Sequence, residues 1–481
     1  MEKPLKERTA KGLFWGGFNS LFQQVIQLVF GIFMARILFP EDFGLVGMLG
    51  IFTIFATTLQ ESGFSIALIN RKNIDQDAYS SVFWINTGIS LLLYILLFFL
   101  SPVIASFFNQ PLLTNLARVV FLSFVFNALG IIQNTILTKR LEMRKITIVT
   151  LISLLASCSV GLVLALLGFS YWSIAIQMVA LSFFRTVILW LMSDWRPSFL
   201  FNKKLVREMF SFSSKLLLST LLFHAATGMY SFLLGKFYDK DQVGFYSQAN
   251  KWYSIPMGLV LGVINSVVLP VFAEVNDDRE RQILVFRKMM RFTSFIAFPI
   301  ILGFSFIAEE LIPILVTIKW AESIPILQLL CITAVFYPIT VLYSNLLYSQ
   351  GYSGIVLVIN SIYSVLLILL LLSTISLGII KMIIFNGFLY LFYILCFILA
   401  VKKHIGLKYN YFIKDVFPFL LITLFAFGVA GILVSPLSNL YVILFAKIVI
   451  SVLIYIVIMK FSKIAIFRES MGFIKQKLLN R

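Results

Sequence analysis

The sequence predicts an all-α integral membrane protein of about fourteen crossings built on an internal duplication, and three observations carry that prediction. The first is composition. Of 481 residues, 60% are hydrophobic and 16% aromatic, with only 12% charged, which is more apolar material than a water-soluble fold buries. The second is run length. A crossing needs about 20 apolar residues at about 1.5 Å each, and such runs recur at 13–37, 43–68, 81–108, 115–138, 147–168, 171–192, 212–235, 244–270, 292–316, 323–349, 354–377, 380–401, 416–434 and 441–460. The third is an echo: the segment Ala35 to Leu45 is faintly repeated 200 positions later, from Gly235 to Phe245. In each copy an apolar run ends in a base (Arg36, Lys236), an acid follows (Glu41, Asp241), and a glycine (Gly44, Gly244) opens the next run. A membrane protein of two similar halves is the usual architecture of a transporter, with its site where the halves face each other.

The connections justify the runs in order. Basic segments fall at alternate positions: Lys3/Lys6/Arg8/Lys11, Arg71/Lys72, Lys139/Arg140/Arg144/Lys145, Arg196/Lys203/Lys204/Arg207, Arg279/Arg281/Arg287/Lys288, Lys402/Lys403/Lys408/Lys414, and the tail from Lys463 to Arg481. The connections between them are short and poor in bases, except for Lys236/Lys240 and Lys319; Ser349 to Gly354 is the one expected inner loop without a base. By the positive-inside rule both termini are cytoplasmic and the number of crossings is even. The second run opens in a Gly-rich stretch, and the eighth is interrupted by Pro256. The amino end resembles a signal peptide in being charged and then apolar. Its run is too long, however, and no small-residue cleavage site follows, so it reads as a retained first helix.

This topology absorbs most of the +18 net charge as inner-surface attraction to anionic lipid, which removes the argument for nucleic acid. Cys158, Cys331 and Cys396 stand singly in apolar runs, and the two histidines are His224 and His404; no metal or cofactor is expected. No Gly-rich phosphate loop is present. Energy is therefore expected from a gradient, the membrane potential or the substrate.

Seven segments, in order, resemble the polysaccharide biosynthesis flippases of the multidrug/oligosaccharidyl-lipid/polysaccharide exporter superfamily, in the branch serving colanic and teichuronic acid export. They are Ala35 to Met48, Glu61 to Ile69, Tyr79 to Asn86, Gly168 to Ser173, Trp195-Arg196-Pro197, Gly244 to Ala249 and Leu269 to Phe272. The resemblance runs from about Lys11 to about Leu330; beyond that only hydropathy carries it. It implies two pseudo-symmetric six-helix lobes around a central cavity (1–200 and 201–410), with two further helices and a cytoplasmic tail (411–481). It also implies flipping of undecaprenyl-pyrophosphate-linked oligosaccharide repeat units across the bacterial cytoplasmic membrane by alternating access. The partners implied are that lipid-linked substrate, membrane lipids and other polysaccharide assembly proteins.

In the family the first, second, seventh and eighth helices face the centre, which directs the search for site residues. Asn19, Gln23 and Gln27 recur every four residues, forming one stripe; Thr53, Thr57 and Gln60/Glu61 do so on the second run. Sugar contact and helix-to-helix hydrogen bonding both account for such stripes. Gln248 lies in the sixth resembling segment. Among bases within or beside crossings, Arg36, Lys215, Lys236 and Lys251 are the candidates for pyrophosphate contact, whereas Lys381 and Lys447 read as markers of outer ends. Glu61 is a candidate coupling site or a salt-bridge partner, and His224 a candidate titrating group or a hydrogen-bonded interior histidine. A small-molecule exporter of the same superfamily is the alternative reading. A polysaccharide polymerase or ligase is disfavoured by the short outer connections, and no enzyme is expected.

Overall fold

The computed structural model describes residues 5–61, 68, 75–199, 221, 224, 226, 228–274 and 279–462. Among them the chain is helical throughout, in sixteen α-helices: α1 Leu5–Ile37, α2 Pro40–Met48, α3 Gly50–Glu61, α4 Gln76–Phe107, α5 Leu113–Lys139, α6 Met143–Leu166, α7 Tyr171–Met192, α8 Lys240–Glu274, α9 Arg279–Phe306, α10 Ala308–Val316, α11 Ser323–Thr333, α12 Tyr337–Ser349, α13 Ser353–Thr374, α14 Ile379–Ile405, α15 Asn410–Val434 and α16 Leu440–Phe461. Residues 228–237 are also helical.

Eleven spans among the described residues are long and apolar enough to cross a membrane, or twelve if the bent pair α2 and α3 counts as one. Of the two remaining expected crossings, the seventh (212–235) lies largely outside the described residues, and the eighth is α8. The second expected crossing therefore differs from its prediction. It begins at Pro40 and bends by 42° between Met48 and Gly50. The ninth also breaks: α9 ends at Phe306 and α10 resumes at Ala308. Pro256, expected to interrupt the eighth run, is carried inside the continuous α8.

The described residues divide into two units. Unit 1 comprises 1–247 with 371–375, and unit 2 comprises 248–370 with 376–481. In unit 1, α5 is the central helix: Leu116, Ala117, Val120, Phe121, Phe124, Ala128 and Ile132 are fully buried. Their three- and four-residue spacing makes one face. Helix α5 packs on α4 and α7, and α6 packs on α7 and α1. In unit 2, α9 packs on α11, α12 and α15, while α14 lies on α11 and α12, and α15 on α16. Large apolar side chains such as Leu92, Phe99, Phe425 and Phe445 stay exposed; in a bilayer those faces meet hydrocarbon.

Candidate functional site

Unit 1 brings the two echoed segments against each other. A Cβ added to Gly44 would overlap the backbone carbonyl oxygen of Lys240, and one added to Gly244 would overlap that of Pro40. Each glycine thus meets the first residue of the partner glycine's own helix, Lys240 in one case and Pro40 in the other, and those two residues are 200 positions apart. The contact is reciprocal, as a two-fold relation between the copies requires, and only glycine permits backbone to approach backbone so closely. One turn on, a Cβ at Gly47 would crowd the Ser247 hydroxyl. The starts of α2 and α8 therefore approach backbone to backbone.

Side chains reinforce this junction. Lys240 forms an ion pair with Glu41 across it. The Asp42 carboxylate is 3% exposed; it accepts from the Phe39 backbone N–H at 2.9 Å and from the Ser170 hydroxyl. That serine follows Gly168, whose φ of 83° suits a residue without a side chain. The Tyr238 hydroxyl donates to the Ile375 carbonyl. The Glu41 hydrogen bond raises the Lys240 pKa above the ordinary lysine value. A raised folded-state value means that this stabilisation is complete below the unfolded pKa of about 10.4 and is lost as pH rises through the folded one. Both side chains are more than a third exposed, so the contribution is below about 1 kcal/mol. Alkaline melts of wild type and Glu41→Gln should therefore differ slightly at pH 9 and converge as the pH is raised through the folded-state Lys240 value. A separation that does not shrink as the pH rises would contradict the pairing.

The candidate bases separate on inspection. Lys236 donates to the Phe107 carbonyl at 2.6 Å and lies 4.6 Å over that ring, so it caps the last turn of α4, where a cation is favoured. Arg36 is exposed in the last turn of α1, and Lys251 is half-buried in α8. Lys215 lies outside the described residues. Glu61 is the last residue of α3, and His224 is half-buried.

The polar stripes also divide. Asn19 and Gln23 are half-buried and Gln27 is exposed; the Asn19 Oδ1 is buried with no hydrogen-bond partner among the described residues. Gln248 is 1% exposed, and neither of its amide atoms has a partner among the described residues. On α3, by contrast, Thr53 and Thr57 donate to the Leu49 and Thr53 carbonyls one turn back along the chain, while Gln60 donates to the Ser90 hydroxyl at 2.9 Å and the Phe124 carbonyl at 2.7 Å. Of this stripe, Gln60 makes interhelical hydrogen bonds, to α4 and α5.

Several of the resembling segments turn out to be each other's partners. The extended stretch after α7 lies against the start of α4: the Trp84 indole donates to the Ser198 carbonyl at 2.9 Å, Ser80 and Ser198 hydroxyls meet at 2.8 Å, and Phe83 packs edge-on to Trp195 at 5.7 Å. Arg196 turns back to donate to the Ser193 carbonyl at 2.5 Å. These motifs hold the fold together.

In unit 2 the sequence reading of Lys447 is corrected. It does not simply mark an outer end: its Nζ is 2.7 Å from Glu310 Oε1, donates to the Phe306 carbonyl at 3.2 Å and lies 4.7 Å over the Phe306 ring. It borders a cleft of about 890 Å³ between α9, α11, α15 and α16, lined among others by Leu302, Glu309, Gln328 and Phe427. The sequence reading missed Asp415, which is 3% exposed and bound by Arg287 at 2.7 and 3.1 Å, with Arg291 at 3.4 Å. Its one signal is an acid set among basic residues where an apolar run begins. No cluster of metal-ligating side chains occurs among the described residues.

Comparison with known proteins places this geometry. A family model described as "Polysaccharide biosynthesis protein" matches residues 33–325. Among characterised relatives, the chain is 27% identical to the succinoglycan biosynthesis transport protein ExoT of Rhizobium meliloti over 62% of this chain and 61% of that one. It is 25% identical to the lipopolysaccharide biosynthesis protein WzxC of Escherichia coli over 68% and 67%, and 23% identical to the teichuronic acid biosynthesis protein TuaB of Bacillus subtilis over 69% of each. The match thus spans 61% of the length of ExoT. Among solved structures, the lipid II flippase MurJ in an inward closed conformation superimposes with a TM-score of 0.77 at 17% identity, over 92% of this chain and 96% of that one. An inward-facing multidrug resistance MATE family transporter of the MOP superfamily gives 0.64 at 15% identity, over 81% and 99%. The fold is shared with both.

Proposed function

From the premise that this chain belongs to the polysaccharide biosynthesis protein family, we propose that it is a flippase. It moves undecaprenyl-pyrophosphate-linked oligosaccharide repeat units from the inner to the outer leaflet of the bacterial cytoplasmic membrane, and it is not an enzyme. The observation that carries this reading is the family match over residues 33–325 on a fold of the flippase and drug-exporter kind along 92% of the chain. Relatives with roles in succinoglycan, lipopolysaccharide and teichuronic acid synthesis favour a glycolipid over a drug.

The chemistry explains the need for a protein. Each hydroxyl of a repeat unit carried unsatisfied into hydrocarbon costs on the order of several kcal/mol, so several together make crossing prohibitively slow. A polar cavity between two lobes, residues 1–200 and 201–410 in this proposal, removes most of that barrier while the polyprenyl tail stays in lipid. With both termini cytoplasmic, the α1–α2 and 237–240 turns lie at the outer face, and the reciprocal glycine contact is the outer closure. Arg36, Lys215, Lys236 and Lys251 are the proposed pyrophosphate contacts, Asn19, Gln23, Gln27 and Gln248 the proposed polar lining, and Glu61 and His224 the proposed coupling groups. The orphaned amide of Gln248 supports its inclusion, since such a group is satisfied by an incoming polar ligand. An inside-negative potential drives each uncompensated negative charge outward by about 2.3 kcal/mol per 100 mV, which gives the reaction its direction.

The test is transport of the lipid-linked repeat unit in proteoliposomes, with surface polysaccharide as the cellular readout. The Arg36→Ala/Lys251→Ala pair should lower transport at least about tenfold, the loss expected from removing roughly 1.4 kcal/mol of headgroup stabilisation, while the protein still inserts. Undiminished transport by the pair would sink the headgroup assignment; absence of glycolipid transport by wild type, with expulsion of a cationic dye instead, would make the chain a drug exporter.

A further inference from the structure

Unit 2 contains a tyrosine cluster that the reading above does not use. On α14 the exposed stripe is Phe388, Leu391, Leu395 and Leu399; at about 100° per residue, Asn386, Tyr390 and Tyr393 lie on the opposite face. On α13 the exposed stripe is Val358, Ile362, Val365 and Leu369, and Asn360 and Tyr363 again lie opposite. The two helices are cross-pinned: the Tyr393 hydroxyl donates to Asn360 Oδ1 at 2.8 Å, and the Tyr363 hydroxyl to Asn386 Oδ1 at 3.3 Å. The rings close on one another, with centroids 4.4 Å apart for Tyr363 and Tyr393 and 5.5 Å for Tyr363 and Tyr390. Tyr337 of α12 meets Tyr390 edge-on at 6.0 Å.

Interhelical hydrogen bonding accounts for half of this. Tyr363 and Tyr393 are each 6% exposed with their donors satisfied, as helix packing in a membrane favours. Tyr337 and Tyr390 are different. Both are only half-buried, and neither hydroxyl bonds to any described residue. Tyr390 also sits about 17 Å along α14, near mid-membrane. A phenol hydroxyl there without a partner among the described residues is unfavourable, and partial exposure on the face turned away from lipid leaves it within reach of a polar occupant. Water would satisfy a hydroxyl, yet a set of packed rings adds nothing to hydrating one. A tyrosine offers an apolar face and a polar tip, and a pyranose offers the complement, a C–H face edged by hydroxyls. The six residues carry no formal charge at neutral pH, which suits a neutral saccharide and not a pyrophosphate.

We propose that Tyr337 and Tyr390, positioned by the crossed Tyr–Asn pairs, form a carbohydrate-recognition wall: a sugar ring stacks on them and exchanges hydrogen bonds with their hydroxyls and with the amide groups of Asn360 and Asn386. The proposal rests on the flippase reading and adds to it the subsite for the sugar, separate from the bases assigned to the pyrophosphate.

The test compares two probes on the full-length protein in nanodiscs: undecaprenyl pyrophosphate alone, and the undecaprenyl-pyrophosphate-linked repeat unit purified from the source bacterium. Wild type should bind the glycolipid more tightly than the bare lipid. Tyr390→Leu should remove at least about tenfold of that preference with bare-lipid affinity unchanged, and Tyr390→Phe, which keeps the ring, should fall between. Should Tyr390→Leu fail to fold, Tyr337→Leu makes the same measurement at a side chain with a single ring contact among these tyrosines. Equal weakening toward both probes, or wild-type binding of both lipids without preference, overturns the wall and leaves the flippase reading standing; wild-type binding of neither lipid overturns both. Tetraphenylphosphonium binding that Tyr390→Leu abolishes, with the glycolipid preference intact, makes the cluster a cage for organic cations and overturns the sugar assignment.

Discussion

Replacing Gly244 with valine is expected to abolish polymer export while leaving membrane insertion intact, and Gly44→Val is expected to do the same. At each position the first added carbon already overlaps a backbone carbonyl, Pro40 in one case and Lys240 in the other, so no side-chain rotation relieves it; the two helix starts must move apart. Overpacking of this kind costs about 1–3 kcal/mol. The consequence for function is larger than for stability. If the α2–α8 junction is the closed outer end of an alternating cycle, a wedge there shifts the equilibrium between states by about tenfold for each 1.4 kcal/mol, and the inward-open, outwardly closed state becomes too rare to load substrate. Gly262→Ala is the control on the same helix, because nothing lies within 4 Å of its added carbon. Surface polysaccharide and membrane abundance, measured for all three, decide the matter: normal export by both valine variants would remove the junction from the cycle.

The junction was half legible in the sequence. The echo of Arg36 to Gly44 in Lys236 to Gly244 is a pattern in one dimension, and it marked both helix starts. That the copies touch, and touch through their glycines, depends on how chain segments 200 positions apart are brought together. Hydropathy likewise predicted the runs but not the bend after Met48 or the break at Ile307, since each is set by local backbone geometry inside a stretch that is apolar on both sides. The threonines of α3 were legible as a stripe and illegible as to partner, because a hydroxyl that bonds its own helix leaves the same periodicity as one that faces a ligand. Tyr363, Tyr390 and Tyr393 passed unnoticed for a related reason. Single tyrosines in the runs Ser353–Thr374 and Ile379–Ile405 read as ordinary membrane residues, and the significance of Tyr390 lies in its position on α14 opposite the stripe of Phe388 and Leu395.

Lys447 was misread from sequence because its partner lies 137 positions upstream, and the corrected contact yields an asymmetric prediction. Lys447 and Glu310 side chains are 12% and 8% exposed. Breaking a buried pair from one side costs about 3–5 kcal/mol, whereas replacing both members by apolar residues is often neutral or better. The two single losses should differ. Without Glu310 the ammonium keeps the Phe306 carbonyl and ring, and its long stem allows it to reach the bordering cleft. Without Lys447 the carboxylate has nothing comparable, because its second oxygen, Oε2, is already buried and unpartnered among the described residues. Lys447→Met should therefore lower the melting temperature of the detergent-solubilised protein more than Glu310→Leu, and the double variant should recover most of the loss. Additive losses in the double variant would show that the two side chains stabilise the protein independently, and that the charge at 447 serves the headgroup region after all.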